Sequence, residues 1–361
     1  MKLSLTKNSN IYILCPANVH TGGPKCLHQL AYELKNVLKR KVYMYYFPMF
    51  SDNYENPVHE NYNSYQIPFT NKIDDNENNL LIVPEMNKTI EISKKYKNIK
   101  KALWWLSVDF FLLTKFNDNF SKYLRSVIKI PYNFICFFNK LTQYRFGNLS
   151  LSKYLKLIYL KNPFYNVLKL KDFQINLAHS FYQIDILKSK NLKSFLLSDF
   201  IEDDFFQAAE KITLENKDNI ICYNPNKSSA FMKKIIESNQ EFKFVPLANL
   251  KKKDVIEKLS ESKIYIDFGF HPGKDHMPRE AAILKNCILT NKEGSAFYFE
   301  DVPISDEFKF DEKKKNLDRI NKAIIKIFKD YTTEINKFES YRKKLKDQKK
   351  TFKNEVNEIF N

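Results

Sequence analysis

Asp267 to Ile283, reading DFGFHPGKDHMPREAAI, holds the most informative cluster of reactive side chains in the sequence. Lys274, Arg279 and Glu280 share one loop and one helix start, predicted to open at Pro278 with Glu280 in its first turn. A helix start offers free backbone amides and partial positive charge, so it draws an anion such as a diphosphate. An arginine fork and a lysine would hold phosphate oxygens there, while a glutamate suits the paired hydroxyls of a ribose. His271 and His276 flank the turn. Two histidines and one aspartate make a poor ligand set, so no metal is expected.

Three other segments follow predicted strands in the same way. Asn224 and Lys227, in YNPNKSS, stand just past the strand 220–223, where an ammonium could neutralise a phosphate. Gly294 and Ser295, in NKEGSA, make a second turn-to-helix start beside the first. Gly22 and Gly23, in PANVHTGGPK, follow the strand 11–15. They are expected to give backbone conformations closed to other residues and to admit a ligand, with Pro24 at the first helical position. Arg279, Lys227 and Asp109 are the catalytic candidates. A general base must come from a strand end, and Asp109, Glu85 and His20 all qualify; spacing does not choose between them. A helix-face histidine such as His28 is more often structural.

These groups need a scaffold, and the apolar pattern supplies one. Short, continuously apolar runs at 11–15, 42–47, 80–83, 102–106, 175–178 and 195–197 read as strands buried on both faces of a parallel sheet. A second series follows at 220–223, 242–245, 264–268 and 287–290, with helices predicted between. Repeated βα units give an α/β chain of two Rossmann-like, doubly wound domains facing across a cleft. The predicted boundaries are 1–205, 206–312 and 313–361, the last a single long amphipathic helix from Leu317 onward.

The chain has 361 residues, 43% hydrophobic and 28% charged, with a net charge of +17. Phe110 to Phe173 alone carries eleven Lys or Arg against two acids, and sixteen aromatics. It reads as a helical insert of about 110–173 whose basic aromatic surface suits an anionic membrane. Single-stranded nucleic acid is a rival ligand for such a surface, but no nucleic-acid-binding signature is present, so no nucleic acid is expected. The five cysteines are scattered without a CxxC pair and suit a reducing cytoplasm. No signal-peptide pattern and no spanning apolar run is found, which suggests a cytoplasmic protein at the inner face of the membrane.

YILCPANVHTGGP with LHQL, VPE, WWLSVD, DFGFHPGKDHMPREAA and GSAFYFEDVPI together resemble the GT-B glycosyltransferases, in particular transferases of bacterial capsule and lipopolysaccharide gene clusters. The resemblance implies two Rossmann-like domains, a nucleotide-sugar donor held mainly by the second, and no metal. It also implies a lipid-linked or oligosaccharide acceptor in surface-polysaccharide synthesis. Where such enzymes carry two glutamates separated by seven intervening residues, the second matches Glu280, while the first position is Pro272 here. Transfer of a phosphoryl group from a nucleotide is the alternative reaction for the same cleft.

Overall fold

The computed structural model describes residues 5–48, 56–119, 122–142, 144–145, 149–161 and 167–361. Parts of the expected insert (120–121, 143, 146–148, 162–166) lie outside the described residues. The chain divides into two compact units: 1–119, 156–199 and 349–361 form the first, and 120–155 and 200–348 the second.

The first unit runs β1 (Asn10–Pro16), α1 (Gly22–Asn36), β2 (Lys41–Phe47), β3 (Leu80–Pro84), α2 (Asn87–Ser93), β4 (Lys100–Trp105) and α3 (Val108–Asn119). After α4 (Lys122–Leu141) and α5 (Leu151–Leu160) come β5 (Ile175–Ala178), α6 (Phe181–Ser189) and β6 (Ser194–Leu196). The strands pair in parallel in the order β2-β1-β3-β4-β5-β6. β1 and β3 read apolar throughout because helices cover both faces, and Ile11–Cys15 and Leu80–Val83 are fully buried. Ser180 starts α6 as its sequence suggests, its side chain accepting the Gln183 amide proton.

The second unit contains α7 (Asp203–Glu210), β7 (Asp218–Tyr223), α8 (Ala230–Glu237), β8 (Lys243–Pro246), α9 (Lys252–Glu261), β9 (Ser262–Asp267), α10 (His276–Ile283), β10 (Cys287–Asn291) and β11 (Lys309–Phe310). Its parallel sheet is ordered β11-β10-β9-β7-β8. Among the described residues these are two α/β sheets of the doubly wound kind. In each, the strand order reverses once, between β1 and β3 and between β7 and β9. Loops leaving the carboxyl ends on either side of a reversal diverge, and a crevice opens there.

Three expectations change. The single C-terminal helix is broken into α11 (Leu317–Lys329), α12 (Tyr331–Asn336) and α13 (Glu339–Phe360). Asp330 leaves helical geometry and caps α12 by accepting the Thr333 amide proton. This segment is no separate domain. Ile320, Ile324 and Ile327 of α11 enter the core of the second unit, whereas 349–361 belong to the first. The expected boundary at 205/206 instead falls inside α7, whose Phe205 is buried in that same core, and the changeover falls at Phe200. Among the described residues the insert contains α4, α5 and most of α3, helical as expected, but residues 120–155 group with the second unit and the rest with the first.

Candidate functional site

Two loops flank the strand reversal of the second sheet: 224–229, between β7 and α8, and 268–275, between β9 and α10. Backbone bonds stitch them together. Phe270 N–H donates to the Lys227 carbonyl at 3.1 Å and Ser229 N–H to the Phe268 carbonyl at 2.8 Å. This contact requires Gly269, where an added Cβ would stand 1.9 Å from the Lys227 carbonyl oxygen. Behind them, Glu312 Oε1 accepts from Ser229 Oγ and from Asn291 Nδ2, both at 2.8 Å, and Asn291 also donates to the Gly269 carbonyl at 2.8 Å. Asn224 makes a local turn, its Oδ1 accepting from Asn226 N–H at 3.0 Å.

Lys227 projects from this junction with 39% of its side chain exposed, and its ammonium pairs with the Asp275 carboxylate. Burial would lower the Lys227 pKa, but Asp275 and then Asp267 and Glu280 outweigh it and raise it. The ammonium is therefore charged and held in place, with donors to spare. Asp275 also faces His271 Nδ1 at 3.2 Å. His271 Nε2 points to the Asp267 carbonyl at 3.3 Å, so both ring nitrogens donate and the ring is an imidazolium. Burial disfavours that charge, yet Asp267 and Asp275 prevail and push the His271 pKa up to about 9. Burial likewise acts to raise Asp275, but Lys227 and His271 overcome it and hold the carboxyl well below the usual range. Asp267, buried and beside Asp275, moves up. Asp275 precedes α10, but its carboxylate is committed to Lys227 and His271 and makes no capping bond to the helix.

Arg279 does not offer its fork to the loop opening. It is 1% exposed, and its N–H groups reach the Asp275 carbonyl (2.9 Å), the Lys274 carbonyl (2.8 Å) and Gln348 Oε1 (3.3 Å). The expected phosphate clamp is thus an internal brace for the loop that carries Lys274 and Asp275. Helix α10 opens two residues earlier than expected, at His276, so Pro278 is interior to the first turn and Glu280 lies beyond it. Glu280 is buried, and Lys274 is half-buried at the loop's crest. Gly294 and Ser295 do sit beside this loop. Ser295 N–H donates to the His271 carbonyl at 3.1 Å, and its hydroxyl to the Gly273 carbonyl. Gly294 has φ +50° and lies so near the His271 carbonyl that a Cβ would come within 1.9 Å of its oxygen.

The first unit has its own reversal, flanked by the loop before α1 and by the end of β3. Gly22 and Gly23 begin α1 with ordinary helical backbone: neither has positive φ, and an added Cβ would meet nothing within 4 Å at Gly22 and only Leu106 at 3.6 Å at Gly23. Their expected conformational role is absent; what remains is the open space beside Gly22. Pro24 is the third helical residue, not the first. His28 is structural as expected: Nδ1 donates to the Pro24 carbonyl at 2.7 Å and Nε2 accepts from Tyr46 Oη at 2.8 Å. Burial pushes the His28 pKa down to about 4, which keeps that tautomer neutral. His20 is exposed and stacks on His59 with ring centroids 5.1 Å apart.

Asp109 is buried and engaged on both oxygens: Tyr182 Oη donates to Oδ2 at 2.6 Å and Lys156 Nζ lies 3.1 Å from Oδ1. A carboxylate so held is a poor acceptor for a substrate proton. Glu85 follows β3 directly and accepts the Leu106 amide proton at 3.0 Å, tying together the residues that leave β3 and β4. Burial pushes its pKa up to about 7.

No family model and no curated protein matches the chain. Its fold is nevertheless similar to those of solved structures. HepE of Anabaena, in complex with UDP, shares 8% identity over 97% of this chain and 98% of its own, with a TM-score of 0.51. Sucrose-phosphate synthase from Thermosynechococcus elongatus shares 10% identity over 98% of this chain and 95% of its own, with a TM-score of 0.52. At such identities the likeness establishes the fold: α/β, two Rossmann-like units, the GT-B class.

Proposed function

We propose that this protein is a glycosyltransferase that takes a nucleotide-sugar donor at the strand reversal of its second unit. One observation carries the reading. Lys227, its side chain partly exposed and its ammonium fixed by Asp275, stands at the carboxyl edge of a parallel sheet beside a helix start whose N-cap residue makes no capping bond. Anions bind at such a place because amide dipoles and the cation act together. The complex of HepE with UDP, on the same fold, supports a nucleoside diphosphate as that anion.

The division of labour follows from the contacts. Transfer breaks the bond from the anomeric carbon to the diphosphate and forms one to an acceptor hydroxyl oxygen. Negative charge grows on the departing diphosphate, and Lys227 stabilises it with Lys274 and the first-turn amides of α10. Arg279 acts as a positioning residue that fixes the Lys274 and Asp275 backbone. Glu280 holds the donor's ribose, and Asn224, Gly294 and Ser295 shape the pocket around it. Asp109 serves structure, and the acceptor hydroxyl proton passes to the departing diphosphate. No metal is needed, because fixed cations replace it. The acceptor is a growing capsule or lipopolysaccharide glycan, a reading supported by the motif resemblance alone.

A panel of nucleotide sugars incubated with such acceptors tests this. Release of a nucleoside diphosphate and a new glycosidic bond are expected. A phosphoester product, or no release from any donor, would contradict it.

A further inference from the structure

Helix α4 turns its apolar side outward. Its inner side is tied down: Tyr154 Oη donates to the Ile128 carbonyl at 2.6 Å, the Tyr132 ring lies 5.4 Å from that of Tyr154, and Cys136 Sγ faces the Leu149 carbonyl. On the other side Tyr123, Ile130, Phe134, Phe137 and Leu141 recur at spacings of seven, four, three and four, one stripe along the helix. These side chains are 79%, 61%, 69%, 63% and 69% exposed. A continuous stripe of this size is not the scattered apolar exposure of an ordinary surface.

Charge identifies what covers it. From residue 119 to 171 the chain has ten Lys or Arg and no acid. Lys122 and Lys140 are exposed and each precedes a stripe residue by one position, about 100° around the helix, so both line the same edge of the apolar face. A second copy would set two strongly basic segments against each other. An anionic surface would be attracted to that basic edge while the stripe left water. No helix among the described residues is long and apolar enough to cross a membrane, so α4 would lie in the plane of the interface. We infer that α4 is an interfacial helix that docks the protein on an anionic lipid bilayer, with its Tyr123–Leu141 stripe buried among the acyl chains and Lys122 and Lys140 at the headgroups. This holds independently of the reaction proposed above.

Sedimentation of the full chain with vesicles tests it, comparing phosphatidylcholine alone with an equimolar mixture containing phosphatidylglycerol. Wild type should bind the anionic vesicles, and added salt should weaken binding. The triple variant F134S/F137S/L141S should lose at least about tenfold in partitioning while keeping its melting temperature, since all three side chains face solvent. K122Q/K140Q should lose roughly tenfold on anionic vesicles only. No binding to anionic vesicles, or equal binding by the triple variant, overturns the inference. So does self-association that the triple variant abolishes without any vesicle binding, which would make a second copy the occupant. Nucleotide binding measured without vesicles is a separate readout, so either reading can fail alone.

Discussion

Lys227 and Arg279 have similar charge and neighbouring positions, but their surroundings give them different work. Lys227→Ala removes one of the two cations paired with the nearly buried Asp275, leaving His271, and should lower folding stability by about 1–2 kcal/mol. Its loss of nucleoside-diphosphate affinity should be at least roughly tenfold, read by calorimetry. Arg279→Ala leaves the Lys274 and Asp275 carbonyls and Gln348 without a buried donor, and should cost about 3 kcal/mol or more in urea unfolding. The reverse pattern would mean that the arginine touches the ligand. Asp109→Asn should lower stability by about 1–2 kcal/mol, because Lys156 and Tyr182 lose a buried charged partner. A large fall in turnover with unchanged stability would restore Asp109 as the base. His271 gives a pH signature. Its folded pKa, about 9, lies above the ordinary value, so its stabilising contribution is full below about pH 6.5 and is lost as pH rises through 9. Buried Lys217, lowered by burial to about 7, works in the opposite direction over part of this range. The His271 share is therefore the difference between wild type and His271→Gln, which should shrink by ~3 kcal/mol from about pH 6 to about pH 10. A pH-independent difference would contradict the imidazolium. None of these partners could be read from the sequence, which places Lys227, Arg279 and Asp109 at strand and helix ends but says nothing of which way each side chain turns.

At the scale of elements, two glycines part company. Gly22→Ala should be nearly neutral in thermal unfolding, since its backbone is helical and open space surrounds it. Gly269→Ala should lower the melting temperature by many degrees and weaken nucleotide binding, because a methyl cannot share the 1.9 Å left by the Lys227 carbonyl. Equal tolerance at both positions would show that the two loops are not locked together. The GG pair drew attention in the sequence because doubled glycine after a strand is a familiar sign; Gly269, alone between phenylalanines, gives no local sign of the approaching chain. Strands and most helices were legible, because continuous apolar runs and caps such as Ser180 and Ser229 are local signals. The start of α10 was displaced by reading Pro278 as the first residue, although a proline is tolerated anywhere in the first turn. The break at Asp330 escaped notice because the apolar spacing continues on either side of it.

Across the whole molecule the alternation of strand and helix was enough to indicate two doubly wound units. It did not reveal how the insert and the last helices divide between them, since that depends on contacts distant in sequence: Glu355, for example, accepts from both the amide and the hydroxyl of Ser198. Each sheet carries one strand reversal; at the second, Lys227 is held by Asp275 beside the start of α10. The net charge of +17 favours anionic partners in general and cannot by itself separate a diphosphate from a lipid headgroup. Direct binding does separate them. The most direct measurement is thermal unfolding of wild type and Lys227→Ala with UDP, GDP, CDP and CMP in the absence of lipid. A saturating diphosphate should stabilise wild type by about 2.7 kcal/mol at a hundredfold excess over its Kd, and the variant far less. Wild type that melts unchanged with every nucleotide, or a variant stabilised equally, would contradict a nucleotide site at Lys227.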